Sequence, residues 1–442
     1  MSGDDAMEET SPAEQPTEQP AEQPAEQPSE QPLSRRGFFL GAGGLAAGGL
    51  IVGGAAGAAG GYAIAHGGSE TAATADVVFP FYDQAHPAGV QTPPQKYSVF
   101  MTYDLTTAAA TDVQVLLARW TAAIAQLVKG ATIGSADPSG VNAVATDSGE
   151  ALGLGAQGLT VTLGLGPGLF DERFGLAGKR PTLLKDLPTL PSDQLRAEYT
   201  GGDLCLQACA DDPQVAYHAI RNLTRMARGT ATTGWTVTGF GRASAGANQQ
   251  TPRTLLGFKD GTRNIVDDTD FDKWVWLKSQ DQKWIEGGTY MVVRKISQNI
   301  EAWDTDRISD QEQVFGRTKG EGAPLTGHKE FDTPDFTKKD AAGELVIPAT
   351  AHIALAAHEN NGGIKIHRRS YNYTEGIDDV GQIDAGLLFV AFMNDPDHFV
   401  RIQTKLGSVD KLNEYITHIG SAIFAVPAAP RTGSYIGAEL FS

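Results

Sequence analysis

Residues 97–105 (YSVFMTYDL) alternate apolar and polar positions and are rich in β-formers, a period-two pattern that predicts a strand. Residues 110–128 instead place Val113, Leu116, Leu117, Trp120 and Ile124 at helical spacing, so a helix with one apolar face is expected. A strand at 159–165, short connecting pieces at 170–174 and 183–187, and a strand at 203–209 come next. A helix over 213–226 follows, with Asp211 or Asp212 as cap and Pro213 in its first turn. A strand at 235–240 ends this run. The order then returns: a strand at 290–296, helices near 300–305 and 309–316, strands at 364–373 and 386–393, helical segments at 396–406 and 409–416, and a last strand at 422–426. Two half-chains that each mix an antiparallel sheet with helices predict a duplicated α+β fold of the split βαβ kind. The polar linker SAGANQQTP places the boundary near 244–252, giving modules at 76–248 and 249–442. Residues 318–342 are polar and read as a surface insertion loop.

The first 75 residues stand outside this pattern. Residues 11–32 repeat Glu-Gln-Pro every four residues, a composition that cannot build a core, so 1–33 reads as a disordered tail. Ser34-Arg35-Arg36-Gly37-Phe38-Phe39-Leu40 and the Gly/Ala-rich apolar run behind it look like a twin-arginine export signal over 34–75. The segment is nearly long enough to cross a bilayer, so a retained anchor is the rival reading. Ala73-Thr74-Ala75 fits small-x-small cleavage and leaves Asp76 as a new N-terminus; Ala63-Ile64-Ala65 is a second candidate. The route carries folded proteins, many of which must first receive a cofactor, and it places the mature protein outside the cell or at its envelope.

The net charge of −18 excludes nucleic acid as a partner, because such binding needs a basic surface to release counterions. Nine acidic side chains sit in residues 1–33, yet the remainder is still acidic. The two cysteines, Cys205 and Cys209, lie in an expected strand, where four residues span ~13 Å. A disulfide needs Cα atoms roughly 4.4–6.8 Å apart, so none is expected. Gly164-Leu165-Gly166-Pro167-Gly168 lacks the strand-to-helix setting of a dinucleotide loop. No C-x-x-C-H is present, so any haem is held non-covalently.

Three stretches carry candidate chemistry. In Gly257-Phe258-Lys259-Asp260-Gly261-Thr262-Arg263-Asn264, two glycines frame an aspartate in a tight turn, where an Asp commonly just accepts a backbone N–H. In Ala351-His352-Ile353-Ala354-Leu355-Ala356-Ala357-His358, His352 has apolar neighbours, a setting that also suits an ordinary core histidine, and His358 stands at a loop edge. In His367-Arg368-Arg369-Ser370-Tyr371-Asn372-Tyr373, strand alternation sends Arg368 to one face and Arg369, Tyr371 and Tyr373 to the other.

Taken together and in order, these stretches resemble the dye-decolourising peroxidase family across about residues 95–430, as do Gly201-Gly202-Asp203-Leu204, Cys209-Ala210-Asp211-Asp212, His218-Ala219-Ile220-Arg221 and Gly386-Leu387-Leu388-Phe389-Val390-Ala391-Phe392. The resemblance implies a pair of ferredoxin-like modules of the dimeric α+β barrel type, with one non-covalent haem b in the C-terminal module. It implies Asp260 as catalytic acid–base, Arg368 as the distal arginine and His352 as the iron ligand. It implies Lys259, Thr262, Arg263, Leu387 and Phe389 as haem-pocket residues. Glu414 is expected as the carboxylate behind His352, with Asp384 next. Ala354-Leu355 and Ser370 depart from the family's more usual Arg-Leu and Gly without removing a catalytic group. Hydrogen peroxide and an organic reductant, such as an anthraquinone dye or a phenol, are the implied substrates, used through a ferryl state. A homo-oligomer is compatible with the resemblance. Relatives that release iron from haem share the pattern, and a haem carrier is disfavoured by the joint presence of Asp260 and Arg368. Bulky substrates are expected to be oxidised through aromatic relays, with Tyr371 or Tyr373 first and Trp303 and Trp274 next.

Overall fold

The computed structural model describes residues 76–244, 246, 250–278 and 280–442. Residues 1–75, where the tail and export signal are expected, and residues 245 and 247–249 of the 244–252 linker lie outside the described residues.

In the first half, β1 (Tyr97–Leu105), α1 (Ala110–Leu127), β2 (Thr160–Leu165), β3 (Leu204–Ala210), α2 (Pro213–Ala227) and β4 (Ala231–Phe240) form in the expected order. The apolar stripe of α1 is buried, and the Asp212 carboxylate caps α2 by accepting the Gln214 and Val215 N–H groups. In the second half come α3 (Asp268–Trp274), β5 (Thr289–Gln298), α4 (Ile300–Thr305), α5 (Ile308–Phe315), α6 (His352–Ala356), β6 (His367–Arg368), β7 (Tyr371–Ile377), β8 (Ile383–Met393), α7 (Asp397–Val409) and β9 (Ile416–Val426).

Three elements differ from the expectation. α3 was not foreseen, because its short acidic sequence has little apolar periodicity. The strand at 364–373 is interrupted at Arg369 and Ser370, although the Arg369 N–H still bonds the Val390 carbonyl. The helix expected at 409–416 is only a single 3₁₀ turn at Lys411–Glu414, and β9 begins six residues earlier than the pattern indicated. Pairing with β5 along its whole length, from Thr289↔Val426 to Gln298↔Ile416, overrides the weak strand preference of Gly420 and Ser421.

The strands run β4-β1-β3-β2 in the first half and β9-β5-β8-β7 in the second, the same order built from the same β-α-β-β-α-β sequence of elements. The halves pair at both edges, through Leu165↔Ala425 on one side and Gly239↔Tyr373 and Phe240↔Asn372 on the other. With β5 paired to β8, eight strands close into a barrel and β6 adds to β8. Closure leaves these strands no free edge. An apolar cluster drawn from both halves, including Phe100, Trp235, Met291, Val293, Leu388 and Phe424, sits on one face of the circuit. A larger cluster packs the other face against α1 and α2.

Cys205 and Cys209 are both buried, free thiols on β3. Thiol labelling under denaturing conditions, without reductant, is therefore expected to modify both cysteines. An intact mass two protons lighter and with no label would show a disulfide instead.

Candidate active site

On the outer face of the second-half sheet, Ile296 of β5, Leu387 and Phe389 of β8, and Ile416 of β9 line a cavity. Phe315 of α5 and Ile402 of α7 form part of its other walls. These apolar walls enclose a small set of polar groups, the usual make-up of a cofactor or substrate site.

Asp260 enters this cavity from a turn whose shape requires glycine. Gly257 and Gly261 have φ of +83° and +107°, and a Cβ on Gly257 would lie 2.7 Å from Cε of Lys319. The backbone of the turn bonds elsewhere: Thr254 N–H to Phe258 O, and Asp260 N–H to Pro252 O at 3.1 Å. The Asp260 carboxylate is thus not used up in capping its own turn; it accepts the Arg368 guanidinium. Arg368 projects from β6, which pairs with β8 through Arg368↔Ala391. Asn264 fixes the two segments together: its Oδ1 accepts the Arg368 N–H at 2.8 Å and its Nδ2 donates to the Arg368 carbonyl at 2.7 Å. The alternation read from the sequence holds here. Arg368 lines the cavity, whereas Arg369 is fully buried and donates to Thr92 O and Gln95 Oε1 of the first half.

His352, the first residue of α6, also lines the cavity. Its Nδ1 bonds Oδ2 of Asp410 at 2.7 Å, and Nε2 has no protein partner among the described residues. Asp410 is 2% exposed and its second oxygen accepts the Leu412 N–H at 2.9 Å, so the carboxylate is held at both ends. Burial alone would lower the His352 pKa; the Asp410 charge outweighs it and raises the value above the ordinary imidazole range. This corrects the expectation for Glu414, which is 58% exposed and pairs with Lys411 at 3.0 Å. The final helical segment ends at Val409, so Asp410 rather than Glu414 is the carboxylate that the chain turns back toward α6. Asp384, on β8, is not a partner of His352 either. His358 borders the cavity but its Nδ1 faces Glu359 at 3.4 Å.

Lys259, Thr262, Arg263, Leu387 and Phe389 all line the same cavity, as expected. Arg263 makes a two-pronged contact with Glu359, at 2.6 and 3.1 Å. Lys259 and Thr262 meet Glu330 of the polar 318–342 segment, whose oxygens take Lys259 Nζ at 2.6 Å and Thr262 Oγ1 at 3.0 Å. Arg317 is buried at the cavity wall and donates to the carbonyls of Gly322 and Glu330. Burial, with Arg263 and Arg368 nearby, pulls its pKa down to about 10. The 318–342 segment is therefore not a loose surface loop but part of the site's wall. Asp410, Asn264, Arg317 and Glu330 had no assigned role in the sequence, because each reads locally as an ordinary turn or loop residue.

The aromatic candidates also separate. Tyr371 and Tyr373 are fully buried on the sheet face away from Arg368; the Tyr373 hydroxyl has no hydrogen-bond partner among the described residues, and that of Tyr371 lies against the buried Cys209 thiol. Trp274 packs against Lys273 and His398, outside the cavity lining. Trp303 is fully buried, with its ring 5.7 Å from Phe315 and 4.8 Å from Tyr415. Phe315 in turn lies 6.0 Å from the His352 ring. The half-exposed Tyr415 donates its hydroxyl to Asp306.

Family models describing the N-terminal and C-terminal parts of Dyp-type peroxidases match residues 87–241 and 251–431. A dye-decolorizing peroxidase of Thermobifida fusca is 40% identical over 296 residues, covering 65% of this chain and 68% of the relative. A deferrochelatase of Escherichia coli K12 is 35% identical over 373 residues, covering 82% of this chain and 86% of the relative. Among solved structures, ferric DtpA from Streptomyces lividans aligns with a TM-score of 0.76 at 36% identity, covering 83% of this chain and 98% of that one. A DyP-type peroxidase from Cellulomonas bogoriensis aligns at 0.75 and 36% identity, covering 83% and 99%. With both halves matched in order and the fold shared over nearly the whole of these neighbours, the chain belongs to the Dyp-type peroxidase family and is a haem peroxidase of the dye-decolorizing type.

Proposed function

We propose that this peroxidase holds one non-covalent haem b per chain in the C-terminal of two modules, 76–248 and 249–442, and uses hydrogen peroxide to oxidise bulky organic reductants. The cavity suits the group. Its walls are largely apolar, and His352 presents Nε2 to it with Nδ1 already fixed by the buried Asp410 carboxylate. When bound, haem supplies an iron at which peroxide is split and oxidising power is retained.

The protein's own part follows from its side chains. His352 would hold the iron through Nε2, and the Nδ1 bond to Asp410 would fix its tautomer and increase its donor strength. Asp260 carries a proton from one peroxide oxygen to the other. Arg368 keeps its charge throughout and stabilises negative charge as the O–O bond breaks. The observation that carries this reading is the ion-paired Asp260 and Arg368 in the same cavity as a carboxylate-backed histidine. The test is an absorption spectrum of the purified protein before and after one equivalent of hydrogen peroxide. A Soret band that shifts on addition is expected; no Soret band, or one indifferent to peroxide, would overturn the reading.

The likeness to the Escherichia coli deferrochelatase supports a second reading, release of iron from haem. Metal-free porphyrin fluorescence appearing after incubation with haem, without peroxide turnover, would favour it. The Ser34–Leu40 run supports export by the twin-arginine route to the envelope or the outside of the cell.

A reductant too large for the cavity must give up its electron at the surface. An oxidised tyrosine also has to lose its proton, and this moves first place from Tyr371 and Tyr373 to Tyr415, whose hydroxyl already points at the Asp306 carboxylate. Trp303 lies between Tyr415 and the cavity wall. Tyr415→Phe and Trp303→Phe are expected to slow oxidation of an anthraquinone dye about tenfold, with the spectral response to peroxide unchanged. Parental dye rates in both variants would remove these residues as relays.

A further inference from the structure

We propose that Glu330 is a positioning residue for Asp260: its carboxylate, carried by the 318–342 insertion, clamps the chain on both sides of the aspartate through Lys259 and Thr262. The proposal rests on the peroxidase reading for its kinetic consequence, but not for its structural one. Asp260 sits in a turn with two positive-φ glycines, and a backbone of that kind is conformationally permissive unless its neighbours restrain it. Backbone bonds and Arg253 hold the start of the turn, and one further side chain ties both flanks of Asp260. Glu330 takes Lys259 Nζ at 2.6 Å on one oxygen and Thr262 Oγ1 at 3.0 Å on the other, so residues one before and two after Asp260 are tied to the same carboxylate.

The clamp is itself held. Arg317 donates to the backbone carbonyl of Glu330 at 2.9 Å and to that of Gly322 at 2.6 Å. Gly322 has φ of +73°, and a Cβ there would come within 2.8 Å of Lys259 Cδ, so the insertion lies directly on the lysine stem. Lys319 packs on Gly257 at the start of the turn while its ammonium bonds Gln311 Oε1 at 2.8 Å. The Lys259–Glu330 pair is mostly buried, at 15% and 12% side-chain exposure, where a charge-assisted bond is screened less than at the surface. Burial alone would raise the Glu330 pKa, but the bonds from Lys259, Thr251 and Thr262 outweigh it and hold the carboxylate below its usual range. Glu330 touches neither Asp260 nor Arg368 in the hydrogen-bond network, so it acts through the turn.

The test compares full-length, haem-loaded parent with Glu330→Ala and Glu330→Gln. Amide hydrogen exchange over 257–264 is expected to accelerate about tenfold or more in Glu330→Ala. The rate constant for reaction with peroxide should fall by up to about 100-fold, as expected when a reacting group is misplaced by around an ångström, and its pH profile should shift. Glu330→Gln retains one acceptor oxygen and should lie between alanine and parent in both measurements. If Glu330→Ala does not fold, the Lys259→Met/Thr262→Val double variant removes the same two bonds and is expected to behave alike. Parental exchange over the turn overturns the proposal, and so does faster exchange with a parental peroxide rate and pH profile. A parent that never reacts with peroxide would strike the peroxidase reading instead, and the exchange comparison would still decide the clamp.

Discussion

Replacing His352 with alanine is expected to cut the haem retained by the purified protein to about a tenth of the parental amount or less, while His358→Ala stays near parental. Of the three imidazoles at the cavity lining, His352, His358 and His418, His352 is the one backed by a buried carboxylate, and a haem iron held by one protein side chain would depend on that bond. Asp410 makes the prediction sharper. Asp410→Asn keeps the shape of the side chain but removes the charge behind the ring, and outer partners of this type are worth about 10–100-fold in metal affinity. Weakened haem binding in Asp410→Asn with no change in Glu414→Gln would separate the two carboxylates, since Glu414 is exposed and pairs with Lys411. Equal haem content and an unchanged iron spin state in His352→Ala would refute the ligand assignment.

Asp260→Asn is expected to slow the reaction with hydrogen peroxide by about 10²–10⁴-fold, the range that a positioned acid–base contributes, with haem content preserved. Arg368→Leu should cost about 10²–10³-fold, the scale of a lost charge-stabilising donor. The two are ion-paired and tied together again through Asn264, so they act as a unit, and the double variant is expected to lose little more than the worse single one. Stopped-flow spectra at the Soret band give the rate constants directly. A parental rate in Asp260→Asn would sink its role as proton carrier.

Much of this was legible in one dimension. Strand alternation assigned Arg368 and Arg369 to opposite faces even though the strand is interrupted at Arg369 and Ser370, because the period of two persists through the interruption. The repeated order of strands and helices predicted the duplication, and the topology repeats accordingly. The glycine-framed Asp260 turn and His352 were visible as motifs, since each depends on residues close together in the chain.

The proximal carboxylate was not. Asp410 lies 58 residues from His352, follows an amphipathic helix and reads locally as an ordinary helix-end residue, whereas the resemblance pointed to Glu414 four positions away. Nor does polarity distinguish a solvated insertion from one that folds back over a charged turn, so Glu330 and Arg317 were unreadable. The sequence by itself determined the local terms: which residues alternate, which turn needs glycine, and which imidazole has apolar neighbours. Only the tertiary structure decided which distant charges meet, because burial makes every polar group seek a partner, and the partner within reach is set by how the barrel closes and where α7 ends.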